Sequence, residues 1–372
     1  MEIIGIVGEY NPFHNGHIYH INKIKEMYPD SLIVLVLNGY FLERGEISLL
    51  TKEDKTKIAL QNNVDIVLEL PFVFGTQSAD TFAEISMLML DKLNCSKVMF
   101  GSECNDIDLL TNIAKIQLEE NFNFRVKDNL NKGLNYPTAL NKSIGIDINS
   151  PNDLLGISYI KAIIKNKLDI SAISIKRTSD YHDTLSNDEI ISASNIREKI
   201  KNNEDISKYT PYYPYIKYID NNLLFNLIKY KIITSHNLNK YLTVDEGIEY
   251  KLLKEINNVN SIDELIKKVK SKRYTYNRIQ RMLIHILIGL TKEDRDNLKL
   301  EYIKVLGFNN KGQKYLSNLN SDIPVQRKIS DDYLSQKYEL IASSIYDLIM
   351  GTKALEFELS NRPIQEIIKS KK

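Results

Sequence analysis

The chain has 372 residues, 43% hydrophobic and 26% charged, with 49 basic against 48 acidic side chains. That is the balance of a globular protein with a sizeable core, and it excludes a disordered chain. No apolar run reaches the roughly 18–20 residues of a membrane helix, the first residues lack the basic start of a signal peptide, and two cysteines, Cys95 and Cys104, build no disulfide framework. No membrane partner is therefore expected, and the expected compartment is the cytoplasm.

Short apolar runs alternate with amphipathic ones along the first 205 residues. Segments 2–8 (EIIGIVG), 31–37 (SLIVLVL), 64–70 (VDIVLEL), 96–101 (SKVMFG) and 169–175 (DISAISI) read as strands buried on both faces. Helical stretches at 16–27, 52–62, 79–93 and 151–165 lie between them. This order predicts an α/β fold with a doubly wound parallel sheet, whose ligands bind at the carboxyl ends of the strands. After about residue 205 the strand runs stop. The Tyr-rich segment 208–218, with two prolines, reads as a linker. Helical periods follow at 261–269, 277–290 and 334–348. Charge divides at the same place: residues 1–205 hold 21 basic and 29 acidic side chains, residues 206–372 hold 28 and 19. A basic half suits a polyanionic partner.

Between the first strand and its helix runs Glu9-Tyr10-Asn11-Pro12-Phe13-His14-Asn15-Gly16-His17. Pro12 sets a rigid turn, and Gly16 lets the backbone approach a ligand closely. The helix N-terminus offers unpaired N–H groups and a positive dipole to a phosphate. His14 and His17, three apart, can face one side of the first turn. Two fixed donors there would stabilise charge on a phosphoryl group in flight, each by about 2.7–4 kcal/mol. A zinc site that includes His20 is a competing reading. Three histidines at this spacing wind around the helix by about 100° per residue and converge poorly, so no resident metal is expected. A single one of them could also be a satisfied structural residue.

Ile191-Ser192-Ala193-Ser194-Asn195-Ile196-Arg197 follows the last predicted strand and opens another helix. Ser192 or Ser194 can cap it, and Arg197 projects one turn in. Hydroxyls, helix N-terminus and guanidinium make a second phosphate cradle. Alone, the segment reads as a capped helix with a surface arginine. Beside His14 and His17 at the same sheet edge, the cradle is favoured.

HxGH after the first strand with ISxSxxR after the last resembles the HIGH-type nucleotidyltransferase superfamily. More narrowly, the chain resembles the tRNA(Met) cytidine acetate ligase family nearly end to end. The likeness rests on GEYNPFHNGH (8–17), NGYFLERGE (38–46), VDIVLELPF (64–72), FGSE (100–103), PNDLLGISY (151–159) and RTSDYHD (177–183), then ISASNIR (191–197), KRYTYNRIQR (272–281) and VLGFNNKG (305–312). Each piece is short, but so many in one order are specific.

The resemblance implies a Rossmann-like, ATP-binding catalytic domain over residues 1–205 and a mostly helical, basic, tRNA-binding domain over 206–372. It implies a ligase that activates acetate with ATP as acetyl-adenylate, releasing pyrophosphate. The acetyl group then passes to N4 of the wobble cytidine of elongator tRNA(Met), giving N4-acetylcytidine and AMP. The family's ATP contacts fall here on Val7, Gly8, Glu9, Tyr10, Asn11, Pro12, Phe13, His14, Asn15, Gly16, His17, Ile18, Tyr19 and His20, and on Gly101, Asn152 and Arg177. His14 and His17 would be catalytic, Ser194 and Arg197 would hold the departing phosphates, and Mg²⁺ would accompany ATP. On the residues alone, Asn152 beside Pro151 is as much a helix cap as a ligand, and Arg177 is a solvated loop residue. Asn38 and Glu43 stand where the family commonly has Ser and Gln, which bears on contacts of the 38–46 loop and not on the reaction class.

A small-molecule nucleotidyltransferase, passing an adenylyl or cytidylyl group to a phosphate ester, is the alternative, but it needs no basic extension of this length. A silent RNA-binding module on the same fold is a third reading, against which the intact His14, His17 and Arg197 speak. In the basic half, residues 265–281 (LIKKVKSKRYTYNRIQR) hold seven basic side chains and no acid, with Tyr274 and Tyr276 among them. Ile279, Met282, Leu283 and Ile286 share one helix face, which leaves Arg278 and Arg281 free elsewhere on its surface. Cations bind phosphates and tyrosines stack on unpaired bases. Lys272, Arg273, Arg278 and Arg281 are thus the expected tRNA contacts, an ordinary solvated helix pair being the plainer reading.

Overall fold

A computed structural model describes residues 1–177, 189–329, 332–360 and 362–366. Strands and helices alternate from the start: β1 (Ile3–Gly8), α1 (Asn15–Met27), β2 (Leu32–Asn38), α2 (Lys52–Gln61), β3 (Ile66–Leu70), a short α3 (Phe72–Gly75), α4 (Ala79–Lys92) and β4 (Lys97–Ser102). Helices α5 (Ile107–Gln117), α6 (Phe122–Asn131) and α7 (Tyr136–Ile144) precede α8 (Pro151–Asn166), β5 (Ser171–Lys176) and α9 (Ala193–Lys201). The five strands pair in parallel in the order β5-β4-β1-β2-β3. Every residue of β2 and β3 is buried, because helices cover both faces; this is why those strands read as unbroken apolar runs. The chain steps from β1 to β2 to β3, then crosses back to lay β4 on the other side of β1. That reversal opens a crevice at the carboxyl ends of β1 and β4.

The second half is helical through α10 (Asn221–Thr234), α11 (Ile248–Glu255), α12 (Ile262–Val269), α13 (Tyr276–Ile288) and α14 (Lys292–Asn297). The chain then returns to the sheet. β6 (Ile303–Asn309) pairs antiparallel with β3, and after α15 (Asn310–Leu316) the two-residue β7 (Val325–Gln326) adds to its far side. Helices α16 (Leu334–Met350) and α17 (Ala354–Ser360) and strand β8 (Ile364–Glu366), parallel to β6, complete the order. The sequence reading has no strand after residue 205, and β6 corrects it. Lys304 interrupts its apolar run, and a lysine in mid-strand argues against burial; here Lys304 is 5% exposed because Glu69 and Glu358 pair with it.

Candidate active site

At the carboxyl ends of β1, β4 and β5 lies a cavity of about 520 Å³. Its polar wall begins at the N-terminus of α1. His14 is the N-cap residue: its backbone is extended, and its Nδ1 accepts the Gly16 N–H at 3.0 Å. The His14 N–H in turn donates to Nδ1 of His17 at 3.1 Å. Gly16 is required at this spot, since a Cβ there would stand 2.7 Å from the His14 ring. With both Nδ1 atoms accepting backbone protons, each neutral ring carries its own proton on Nε2. The rings lie 4.0 Å apart and both line the cavity. Burial, aided by the charges of Arg177 and Arg197, pulls His14 down to about 3. Burial and its histidine neighbours hold His17 well below the usual value. The pair therefore forms two fixed neutral donors at a positive helix end, suited to charge that develops on a phosphoryl oxygen. His20, one turn on, also lines the cavity; burial lowers it to about 4, and its Nε2 has no hydrogen-bond partner among the described residues.

Ser192 caps α9 by accepting the Asn195 N–H at 3.1 Å, and Ser194 stands free of that task. Arg197 reaches across to the α1 loop: it donates to the Asn11 carbonyl at 2.9 Å, to Glu46 at 3.2 Å and to Ser194 Oγ at 3.3 Å. One guanidinium thus joins the two motifs that the sequence singled out, 186 residues apart. At the β4 end, Gly101 lies against the Arg177 side chain. Glu103 accepts from Asn152 Nδ2 and pairs with Arg177 at 3.5 Å, while Asp153 accepts the Ser102 hydroxyl and the Glu103 N–H. Asn152 is thus in the wall of the cavity and not the helix cap, which is Ser150.

Of the expected nucleotide contacts, Val7, Gly8, Glu9, Tyr10, Asn11, His14, Gly16, His17, Tyr19, His20, Gly101, Asn152, Arg177, Ser194 and Arg197 line the cavity. Pro12, Phe13, Asn15 and Ile18 are not in its lining. Phe13 is fully buried against Tyr10 and Tyr212, and Asn15 donates to the carbonyls of Glu189 and Lys208. Most of RTSDYHD falls in 178–188, outside the described residues.

Glu9 is expected at the nucleotide, but what its carboxylate holds, and the part Lys55 plays, have no sign in the sequence. Glu9 accepts from Asn38 Nδ2 at 2.9 Å and from the Glu43 N–H at 2.7 Å, so it holds the loop after β2 over the cavity. Lys55, fully buried, donates to the carbonyls of Glu9, Asn38 and Gly39 at 3.1, 2.6 and 2.7 Å; burial brings it down to about 7. Glu43, Glu46 and Glu103 also lie within motifs of the sequence, but nothing local marks which of their side chains turn inward.

The basic segment differs from expectation. Arg281 is not a free surface cation: it donates to Glu43 Oε1 at 2.6 Å and to the Glu43 carbonyl at 3.3 Å. Tyr274 is buried, with its hydroxyl on the backbone of Asp245 and Arg278 stacked 4.1 Å from its ring centre, so it offers no open face to a base. Arg278 also donates to the Arg273 carbonyl. Lys272 and Arg273 are exposed, the latter beside Glu246 at 3.4 Å. The described residue group able to gather ligand atoms around a metal is Glu69, Glu339 and Glu358, away from the cavity, and Lys52 Nζ already sits among them.

The family profile described as HIGH Nucleotidyl Transferase matches residues 1–361. A tRNA(Met) cytidine acetate ligase of Geobacillus sp. (strain WCH70) is 36% identical, with 87% of this chain and 88% of that protein covered. One from Clostridium perfringens (strain ATCC 13124) is 37% identical over 98% of this chain and 99% of its own. Among solved structures, apo Thermotoga maritima TmcAL superposes with a TM-score of 0.88 at 27% identity, over 99% of this chain and 100% of that one. The same protein bound with alpha-thio ATP gives 0.85 at 26%, with the same coverage. No helix among the described residues is long and apolar enough to cross a membrane.

Proposed function

Because the chain belongs to the tRNA(Met) cytidine acetate ligase family, within the HIGH nucleotidyl transferases, we propose that it activates acetate with ATP and acetylates the wobble cytidine of elongator tRNA(Met). The observation that carries this reading is the pair of neutral imidazoles at the N-terminus of α1, with Arg197 reaching to the same loop. An acetate oxygen attacks the α-phosphorus, the bond to the bridging oxygen of the β-phosphate breaks, and pyrophosphate leaves. His14 and His17 donate to the oxygens that gain charge, and Ser194 and Arg197 hold the leaving group. The N4 amine of cytidine then attacks the acyl carbon, AMP departs, and the amine gives up one proton.

Gly101, Asn152 and Arg177 would hold the nucleoside end. Magnesium would come with the ATP, held by its phosphates and water; ions of this kind need only one or two protein ligands, and Glu9 and Glu46 are the carboxylates at hand. It would neutralise charge on the departing pyrophosphate. Lys272, Arg273 and Arg278 are proposed tRNA contacts, in the cytoplasm, while Arg281 braces the 38–46 loop.

ATP–pyrophosphate exchange by the purified protein tests the first half-reaction. Exchange that requires acetate is the expected result. No exchange with any carboxylate, even with tRNA added, would move the assignment to a small-molecule nucleotidyltransferase.

A further inference from the structure

Opposite the histidines the cavity changes character. Ala79 and Phe82 from α4, Phe100 from β4, and Leu154, Leu155 and Tyr159 from α8 form an apolar wall. The wall is built rigidly. Phe100 and Tyr159 rings lie 5.7 Å apart, and α8 presses on Phe100 so closely that a Cβ at Gly156 would stand 2.4 Å from the ring. Ser158 and Lys161 on α8 both bind Asp80 in the first turn of α4, at 3.1 and 2.8 Å. Phe82 and Tyr159 are only 2% and 3% exposed.

One polar atom interrupts this wall. Tyr159 lines the cavity, and its hydroxyl is not among the polar atoms buried without a partner, so it opens to that space. A phenol hydroxyl that faces the cavity can donate to a ligand bound there. Burial, with the charges of Glu9 and Glu43 adding to it, raises its pKa and keeps it protonated. Oε1 of Glu9 accepts from Asn38 and Oε1 of Glu43 from Arg281, and neither carboxylate is hydrogen-bonded to the Tyr159 hydroxyl.

We propose that this wall is the acyl subsite: Tyr159 donates to an oxygen of the carboxylate substrate, and Phe82, Leu155 and Ala79 enclose its short alkyl group. The proposal rests on the reading of acetate activation given above. A purine edge presents several donors and acceptors that one hydroxyl cannot satisfy, whereas a small carboxylate, or the acyl carbonyl of its adenylate, presents an acceptor next to an apolar tail. The walls at Gly101, Lys176 and Arg177 provide the backbone and charged groups that a nucleoside needs.

The test is ATP–pyrophosphate exchange with acetate, propionate and butyrate, on the wild type and on Tyr159→Phe and Leu155→Ala. Tyr159→Phe should raise the KM for acetate about tenfold or more while the KM for ATP stays within about twofold. Leu155→Ala should improve propionate relative to acetate by about tenfold or more, as one methylene of pocket space allows. An unchanged acetate KM and unchanged chain-length preference would overturn the subsite, as would a rise in the ATP KM alone, which would place the base on this wall. If Tyr159→Phe does not fold, Leu155→Ala decides the matter. Wild-type exchange that needs no carboxylate would instead defeat the underlying reading.

Discussion

His14 uses both nitrogens of one ring. Nδ1 caps α1 by accepting the Gly16 N–H, and Nε2–H is left as a donor to the cavity. The two roles separate by substitution. Asparagine is among the best N-caps, so His14→Asn should keep the helix start while its shorter amide fails to reach the phosphate. Exchange should fall by about 10²–10³, with a melting temperature close to wild type. His14→Ala should lose the cap as well, at a cost of about 1 kcal/mol; equal activity loss with unequal stability loss is the expected pattern, and an active His14→Asn enzyme would show that the ring is only a cap. His17→Ala should match the activity loss and leave tRNA binding intact. The low pKa values also carry a sign. His14 at about 3, and His20 and His285 at about 4, are neutral in the folded protein, whereas the unfolded chain protonates them near 6.5. The stability they contribute is fully present above pH 6.5 and declines as pH falls toward 4, by on the order of 3 kcal/mol for a fully buried group such as His285. Denaturation measured from pH 8 to 4 should show this slope, and exchange activity should show no histidine titration near 6.5.

The loop at 38–46 and helix α13 form one unit although they are far apart in sequence. Gly45 has a φ of +76°, and a Cβ there would meet the backbone of Arg281 at 2.6 Å. Arg281 also clasps Glu43, whose N–H is held by Glu9 on the cavity wall. Gly45→Ala should therefore push the loop off α13 and reduce exchange about tenfold or more, since small misplacements in a site are costly. Glu43→Gln, which keeps an acceptor for Arg281, should have a much smaller effect; equal losses in kcat for the two variants would show that charge, not position, is what matters. This unit also marks the limit of what the sequence made legible. The strands β1–β5, helices α1, α2, α4 and α8, and the two motifs that meet at the cavity follow from periodicity, glycine and capping signals, all local. That Arg281 turns toward Glu43 does not, because its helix has an apolar face and a polar face and nothing local says that the polar face is also covered. Tyr274 hides in the same way: an aromatic among cations looks like a base-stacking residue until Asp245 and Arg278 close over it.

Across the whole molecule, the two halves are joined by an ionic cluster inside the core. Lys52 of α2 lies 2.6 Å from Glu69 of β3, 2.6 Å from Glu339 of α16 and 2.5 Å from Glu358 of α17, and Lys304 of β6 pairs with Glu69 and Glu358. All five side chains are 5% exposed or less. Burial alone would lower Lys52, but the three glutamates outweigh it and hold its pKa well above the usual lysine value. Glu339 also accepts the Phe72 N–H at 2.7 Å, which fixes the turn after β3. Buried ion pairs add little net stability when made, yet removing one partner strands the others. Here the stranded groups would be carboxylates crowded around a single remaining lysine. Lys52→Met should then destabilise the protein by about 3–5 kcal/mol, measured by denaturant unfolding. Adding Glu339→Gln to Lys52→Met removes one of the crowded charges while keeping an acceptor for Phe72, so the double variant should recover part of the loss, with a coupling of about 0.5–3 kcal/mol. A Lys52→Met protein as stable as wild type, or a double variant that is simply additive, would mean that packing around β3 and β6 joins the halves and the charges do not. Since the cluster draws on α2, β3, β6, α16 and α17 together, its loss should lower the catalytic sheet and the helical segment in one cooperative transition.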